Sequence, residues 1–254
     1  VSPAGTITRT VYDGLGRVLS TWVGTDDTPT TGFWSPSNLA GTDTVQVAGY
    51  AYDGGGVGDG NLTAITLLPG GTEAPRITRT WYDWRNRPVA VKQGVEAVET
   101  ATVNRPLAYA GYDNLGRAVS VSVSDGDGVT PVDANADGVP DAPAAGLLRG
   151  KTETAYDALG RVYRTSVFGA NQLTGALTTT PLVTDVWYDL RGLTAAVRSP
   201  GGRTEKLAYD GLGQPTATST TDGSGGTGWS NALTVAGDKV LAQAEFAYDK
   251  VGNP

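Results

Sequence analysis

Asp133, Asn135, Asp137 and Asp141 sit within DANADGVPD, with Gly138 between them. Side-chain oxygens at that spacing, a glycine for a sharp turn and the carbonyl of Val139 are what a hard cation such as Ca²⁺ takes from a short loop. The twelfth place of the pattern holds Ala144 instead of glutamate, so no bidentate carboxylate closes the set there. Asp125 or Asp127, from the preceding turn, is the expected substitute. A second reading stays open beside this one. Residues 125–150 also read as a flexible acidic insertion that Pro131, Pro140 and Pro143 keep extended. On the first reading the ion is structural, and millimolar Ca²⁺ points to an extracellular setting.

Other chemistry is scarce. The chain has no His, no Cys and no Met. That removes the usual general base, the commonest zinc ligand, thiolate chemistry and any disulfide framework. Acid pairs of the glycosidase kind are conceivable, but turns account for most of the aspartates. GGGVGDG at 54–60 lacks the Lys-Ser/Thr of a phosphate loop and reads as a stretched hairpin tip. Trp22, Trp34, Trp81, Trp84, Trp187 and Trp229 suit either packing or stacking on sugar rings. The net charge of −7 argues against nucleic acid as a partner. No apolar run is long enough for a membrane-spanning helix. An enzyme is not expected.

The elements that would position these residues come from a repeat. Tyr-Asp recurs at Tyr12, Tyr52, Tyr82, Tyr112, Tyr156, Tyr188, Tyr209 and Tyr248, with spacings between 21 and 44 residues. Periods in that range mark solenoids, propellers or arrays. In VYDGLGRV and AYDALGRV the Asp opens a tight turn and the Gly at the fourth place takes positive φ. The motif residues are Tyr12, Asp13, Gly16 and Arg17; Tyr112, Asp113, Gly116 and Arg117; Tyr156, Asp157, Gly160 and Arg161. If Asp13 opposes Gly16, then Tyr12 faces Arg17 and the guanidinium covers that ring. A solvated arginine is the plainer alternative. Asn86 stands where Gly is expected, and Gln214 replaces Arg. TITRTVYD and RITRTWYD alternate with period two, and neither face is purely apolar. The expected fold is all-β: antiparallel hairpins stacked in sequence order into one curved, solenoid-like sheet over residues 1–254. Loops 24–49, 125–150 and 220–238 are expected to project from it, and the two ends to leave unpaired edges.

Tyr-Asp-x-x-Gly-Arg at this frequency resembles the Rhs/YD-repeat family, which includes bacterial Rhs toxins, the B and C components of toxin complexes, and teneurins. The resemblance runs from residue 6 to 254. It implies a wall segment of a secreted β-shell around a toxin or effector polypeptide, within a longer parent protein. The Asp-Pro-rich signature of the family's autoprotease is absent, so the resemblance implies wall and not enzyme. Locally, 133–141 resembles the calcium loops of thrombospondin type 3 and EF-hand-like repeats. An alternative function is an extracellular adhesive module at the cell surface that binds glycans or forms filaments with copies of itself.

Overall fold

The computed structural model describes residues 5–55, 58–99, 103–249 and 251–252. The strands are β1 (Ile7–Tyr12), β2 (Val18–Gly24), β3 (Val45–Tyr52), β4 (Leu62–Leu67), β5 (Arg76–Tyr82), β6 (Pro88–Val95), β7 (Pro106–Tyr112) and β8 (Ala118–Asp125). They continue with β9 (Leu148–Tyr156), β10 (Val162–Phe168), β11 (Leu182–Tyr188), β12 (Thr194–Arg198), β13 (Thr204–Tyr209), β14 (Pro215–Thr221) and β15 (Val240–Glu245). One four-residue helix, α1 (Trp229–Ala232), sits in the connection between β14 and β15. The strands hydrogen-bond in chain order, β1 to β15, as the repeat requires, and every pairing with a defined register is antiparallel. The fold is all-β, built of stacked hairpins.

The chain divides into two compact units, Val1–Ala110 with Val123–Leu148, and Gly111–Ser122 with Arg149–Pro254. In each, the Tyr-Asp turns join an odd strand to the following even one. The connections from even to odd strands carry the length variation. The shortest of them, 199–203, is a five-residue turn; 25–44 and 222–239 are long loops.

The loops fold back onto the strands and build the core. In the first unit Trp34 from 25–44 meets Trp22 of β2 edge-on, with ring centroids 6.0 Å apart. Its Nε1 donates to Thr44 Oγ1 at 3.0 Å. Both rings pack, the commoner role for tryptophan in a strand-rich chain. Val89, Ala90, Val95 and Leu107 are buried between β6, β7 and the loops after them. In the second unit the buried apolar residues, among those described, are Ala195 and Ala196 of β12 and Ala232 of α1.

Two lysines lie at the centre of these contacts. Lys92, 3% exposed, donates from Nζ to the Glu99 carboxylate at 2.5 Å and to the Val129 carbonyl at 2.7 Å. Burial alone would raise the Glu99 carboxyl, but the Lys92 ammonium and the Gly128 N–H hold it below its ordinary value. Lys206, 6% exposed, donates to the carbonyls of Asn231 and Thr234, each at 2.6 Å, and pairs with Asp238. Each lysine thus ties a loop to the strand beneath it. An ammonium in such a place is tolerable only with its donors satisfied.

Candidate functional site

The Tyr-Asp hairpins share one construction. Asp13 N–H donates to the Arg17 carbonyl at 2.9 Å, and Gly16 N–H donates to the Asp13 carbonyl at 3.0 Å. The Asp13 carboxylate accepts the N–H groups of Leu15 and Arg17, each at 2.9 Å, and Arg17 Nε at 2.7 Å. Asp113 and Asp157 repeat the set with Arg117 and Arg161. Gly16, Gly116 and Gly160 have φ of 79°, 81° and 81°, the left-handed region that the turn reading required. Asn86 occupies the same region at 60°, as a residue tolerant of it can. These bonds hold the carboxylates below their ordinary value of 3.8; the leading cause is the Arg17 side chain at Asp13, and the N–H of the facing arginine at Asp113 and Asp157.

The partner of the arginine differs from expectation. Tyr12 pairs with Val18, not Arg17, because a bulge between Val11 and Tyr12 shifts the register and leaves Leu19 unopposed. The same shift precedes Tyr52, Tyr82, Tyr188 and Tyr209. Arg17 is therefore opposite Asp13, and its guanidinium points out of its own hairpin. It lies over the ring of Tyr52 in the next one, 4.4 Å from the centroid. Arg117 covers Tyr156 at 4.6 Å and Arg161 covers Tyr188 at 4.3 Å. The stacking is real, but it joins successive hairpins.

The tyrosine hydroxyl makes a second link between successive hairpins, reaching back where the arginine reaches forward. Tyr82, Tyr156, Tyr188, Tyr209 and Tyr248 donate to the carbonyls of Leu62, Ala118, Val162, Thr194 and Pro215, at 2.8–3.0 Å. Each acceptor opens the even strand of the preceding hairpin. Where the arginine is displaced, a substitute bond appears: Arg191 Nη1 reaches the Asp210 carbonyl at 2.6 Å. At Asp53, whose tip is lengthened as expected, Arg17 Nη1 binds the carboxylate at 3.2 Å. Each link is worth about 0.5–1.5 kcal/mol, so the ladder matters through repetition.

The segment 133–141 is a tight loop, not an extended one. The Asp137 N–H is shared by Asp133 Oδ1 at 3.1 Å and Asn135 Oδ1 at 3.0 Å. Asp133 Oδ2 accepts Gly138 N–H, Asp137 Oδ1 accepts Val139 N–H, and Asp141 Oδ2 accepts Ala134 N–H, at 2.8, 2.8 and 2.9 Å. The donor chemistry suits Ca²⁺, although the carboxylates are committed to loop N–H groups. Among the described residues no group of three or more His, Cys, Asp and Glu gathers as a metal cluster. Of the two expected substitute ligands, Asp127 binds Arg105 Nη1 at 2.8 Å and the N–H groups of Val103 and Asn104, and Asp125 Oδ1 accepts the Asp127 N–H at 3.1 Å. The loop docks on the hairpin of Asp83: Trp84 N–H donates to the Gly138 carbonyl at 2.8 Å, and Tyr109 hydroxyl to Pro140 at 2.7 Å. Gly138 has φ of 83°, and a Cβ there would lie 3.0 Å from that of Trp84.

No family model and no curated protein matches the chain. Solved structures similar to it include the crystal structures titled TcdB2-TccC3-TEV, TcdB2-TccC3-Cdc42 and TcdB2-TccC3 without hypervariable C-terminal region. Identities are 16%, 16% and 18%, with TM-scores of 0.38, 0.34 and 0.36. In each case 96% of this chain is covered, and it spans 12% of the other chain's length. No helix among the described residues is long and apolar enough to cross a membrane.

Proposed function

We propose that this chain is a structural wall segment of a secreted Rhs-type β-shell, whose parent protein encloses a toxin or effector polypeptide. The observation that carries the reading is the ladder. Among the described residues its links run from one hairpin to the next in chain order, so the sheet lengthens by whole hairpins, each held to its neighbour. The neighbours of each repeat are its own sequence neighbours, and the titratable groups of the turns are consumed in holding them. The role is architectural. Electron microscopy of the purified parent protein tests it. A closed hollow particle with internal density is the expected result; an open tube or fibre would reject enclosure and favour an adhesive or filament-forming module.

For the loop 133–141 the same reading assigns Ca²⁺ a structural part, with Asp133, Asn135, Asp137, Val139 and Asp141 as the oxygen donors. The ion would reinforce the loop's seat on Trp84 and Tyr109. The destabilisation caused by Asp137→Ala is then larger in Ca²⁺ than in chelator, measured by thermal melting of the chain. An equal loss in both removes the ion from the account.

A further inference from the structure

In the second unit, three charged side chains stand in register across three strands. Arg164 of β10 is opposite Asp185 of β11, and Asp185 is opposite Arg198 of β12. Arg164 Nε donates to Asp185 Oδ1 at 2.6 Å. The guanidinium of Arg198 has no hydrogen-bond or ion-pair partner among the described residues. Trp187, two places along β11 from Asp185, shares its face of the strand. Trp229 of α1 closes one side: its Nε1 donates to the Tyr188 carbonyl at 2.8 Å, which fixes the indole plane. These residues and Tyr163 line an open cleft of about 400 Å³. Trp229 and Tyr163 keep 45% and 42% of their surface exposed.

The lining narrows the ligand class. Fixed, half-exposed aromatic rings offer a flat surface to the C–H face of a pyranose. Charged forks beside them suit hydroxyl and carboxylate oxygens. A purely apolar ligand would bury the Arg198 guanidinium without a partner. The two carboxylates in the wall, Asp157 and Asp185, already hold Arg161 and Arg164. Arg198 is left as the available cation, and a carboxylate is the anion its planar fork fits in two-point fashion.

We propose that this cleft binds an acidic saccharide, with Trp229 as the stacking platform and Arg198 as the carboxylate anchor. The inference is independent of the wall role: a wall can carry a glycan site on its surface, and either can fail alone. Calorimetric titration of the chain with a tetragalacturonate oligosaccharide tests it. Binding is expected, weakened at least about tenfold by Trp229→Ala or Arg198→Gln, the scale of losing a stacking or charge-assisted contact. Trp229→Phe should retain part of the affinity. Phe33→Ala, at an exposed aromatic of the first unit, should leave it unchanged. The fully methyl-esterified oligosaccharide should bind as weakly as Arg198→Gln binds the acid. No binding at millimolar ligand would overturn the proposal. So would undiminished binding by Trp229→Ala, equal affinity for the methyl ester, or binding of polyglutamate as tight as that of the uronate.

Discussion

The two kinds of connection in this chain solve opposite problems. The Tyr-Asp turns vary at their tips, from DGLG to DWRN, yet keep the same backbone bonds and the same carboxylate at their base. The connections from even to odd strands share no construction, and their length ranges from the turn at 199–203 to the long segment at 126–147. What they share is an anchor. Lys92 and Lys206 each reach up from a strand to loop carbonyls and a carboxylate. The turns set the spacing of hairpins through many small, solvent-accessible links. The loops supply burial through a few charged contacts that water does not reach. Regularity and stability therefore come from different places in the molecule.

The largest effect should follow from breaking a loop anchor. Lys92→Ala leaves the Glu99 carboxylate without its cation and the Val129 carbonyl without the Lys92 donor, and should cost about 3–5 kcal/mol in urea denaturation. A loss below about 1 kcal/mol would place the loop contribution elsewhere. Breaking a turn backbone comes next. Gly160→Val forces a β-branched residue to a φ of 81° and should cost about 1–3 kcal/mol. Asn86→Gly, at a φ of 60°, should be close to neutral in the same assay.

Smaller still is one rung of the ladder. Arg161→Gln removes the contacts to Asp157 and Tyr188 and should cost about 1 kcal/mol. The reciprocal change, Gln214→Arg, installs a guanidinium where the neighbouring copies have one and should add roughly 0.5 kcal/mol. Equal effects on the two would show that the rung does not depend on its position. The finest test is pH. Asp13, Asp113 and Asp157 have folded-state values below the ordinary 3.8. Their contribution is complete above 3.8 and disappears as pH falls through the lower folded values, where the folded carboxylates are protonated too. Melting temperature should decline in that window, and Asp113→Asn should make the decline shallower.

Much of this was legible in the sequence, for a local reason. A turn is specified by four or five adjacent residues, so Asp at its first place and Gly or Asn at its fourth announced both the turn and the sign of φ. The strand order followed from the repeat. The partner of the arginine was not legible, because it depends on a one-residue bulge before each tyrosine. No residue type at Leu19 or Val89 marks that bulge. The buried lysines left a faint sign: Lys92 interrupts the apolar run VAV and is followed by Glu96 and Glu99. The cleft left none, since Arg164, Asp185 and Arg198 meet only through strand register. The loop 133–141 fell between, with its turn readable and its seat against Trp84 not.

The ladder also has a direction. Arg17, Arg117, Arg161 and Arg191 reach forward along the chain, and the hydroxyls of Tyr82, Tyr156, Tyr188, Tyr209 and Tyr248 reach back. Each hairpin is thus a plug at one side and a socket at the other, and Tyr12, 57% exposed, is a plug at the β1 edge. Duplicating or deleting a complete pair of strands rejoins plug to socket, and only loop contacts that cross hairpins, such as Lys92 to Val129 and Trp229 to Tyr188, have to be remade. Adding a single strand would reverse every hairpin after it. Growth of such an array by inheritance is therefore quantised in whole hairpins, and its length can drift in evolution without the repeat itself having to change.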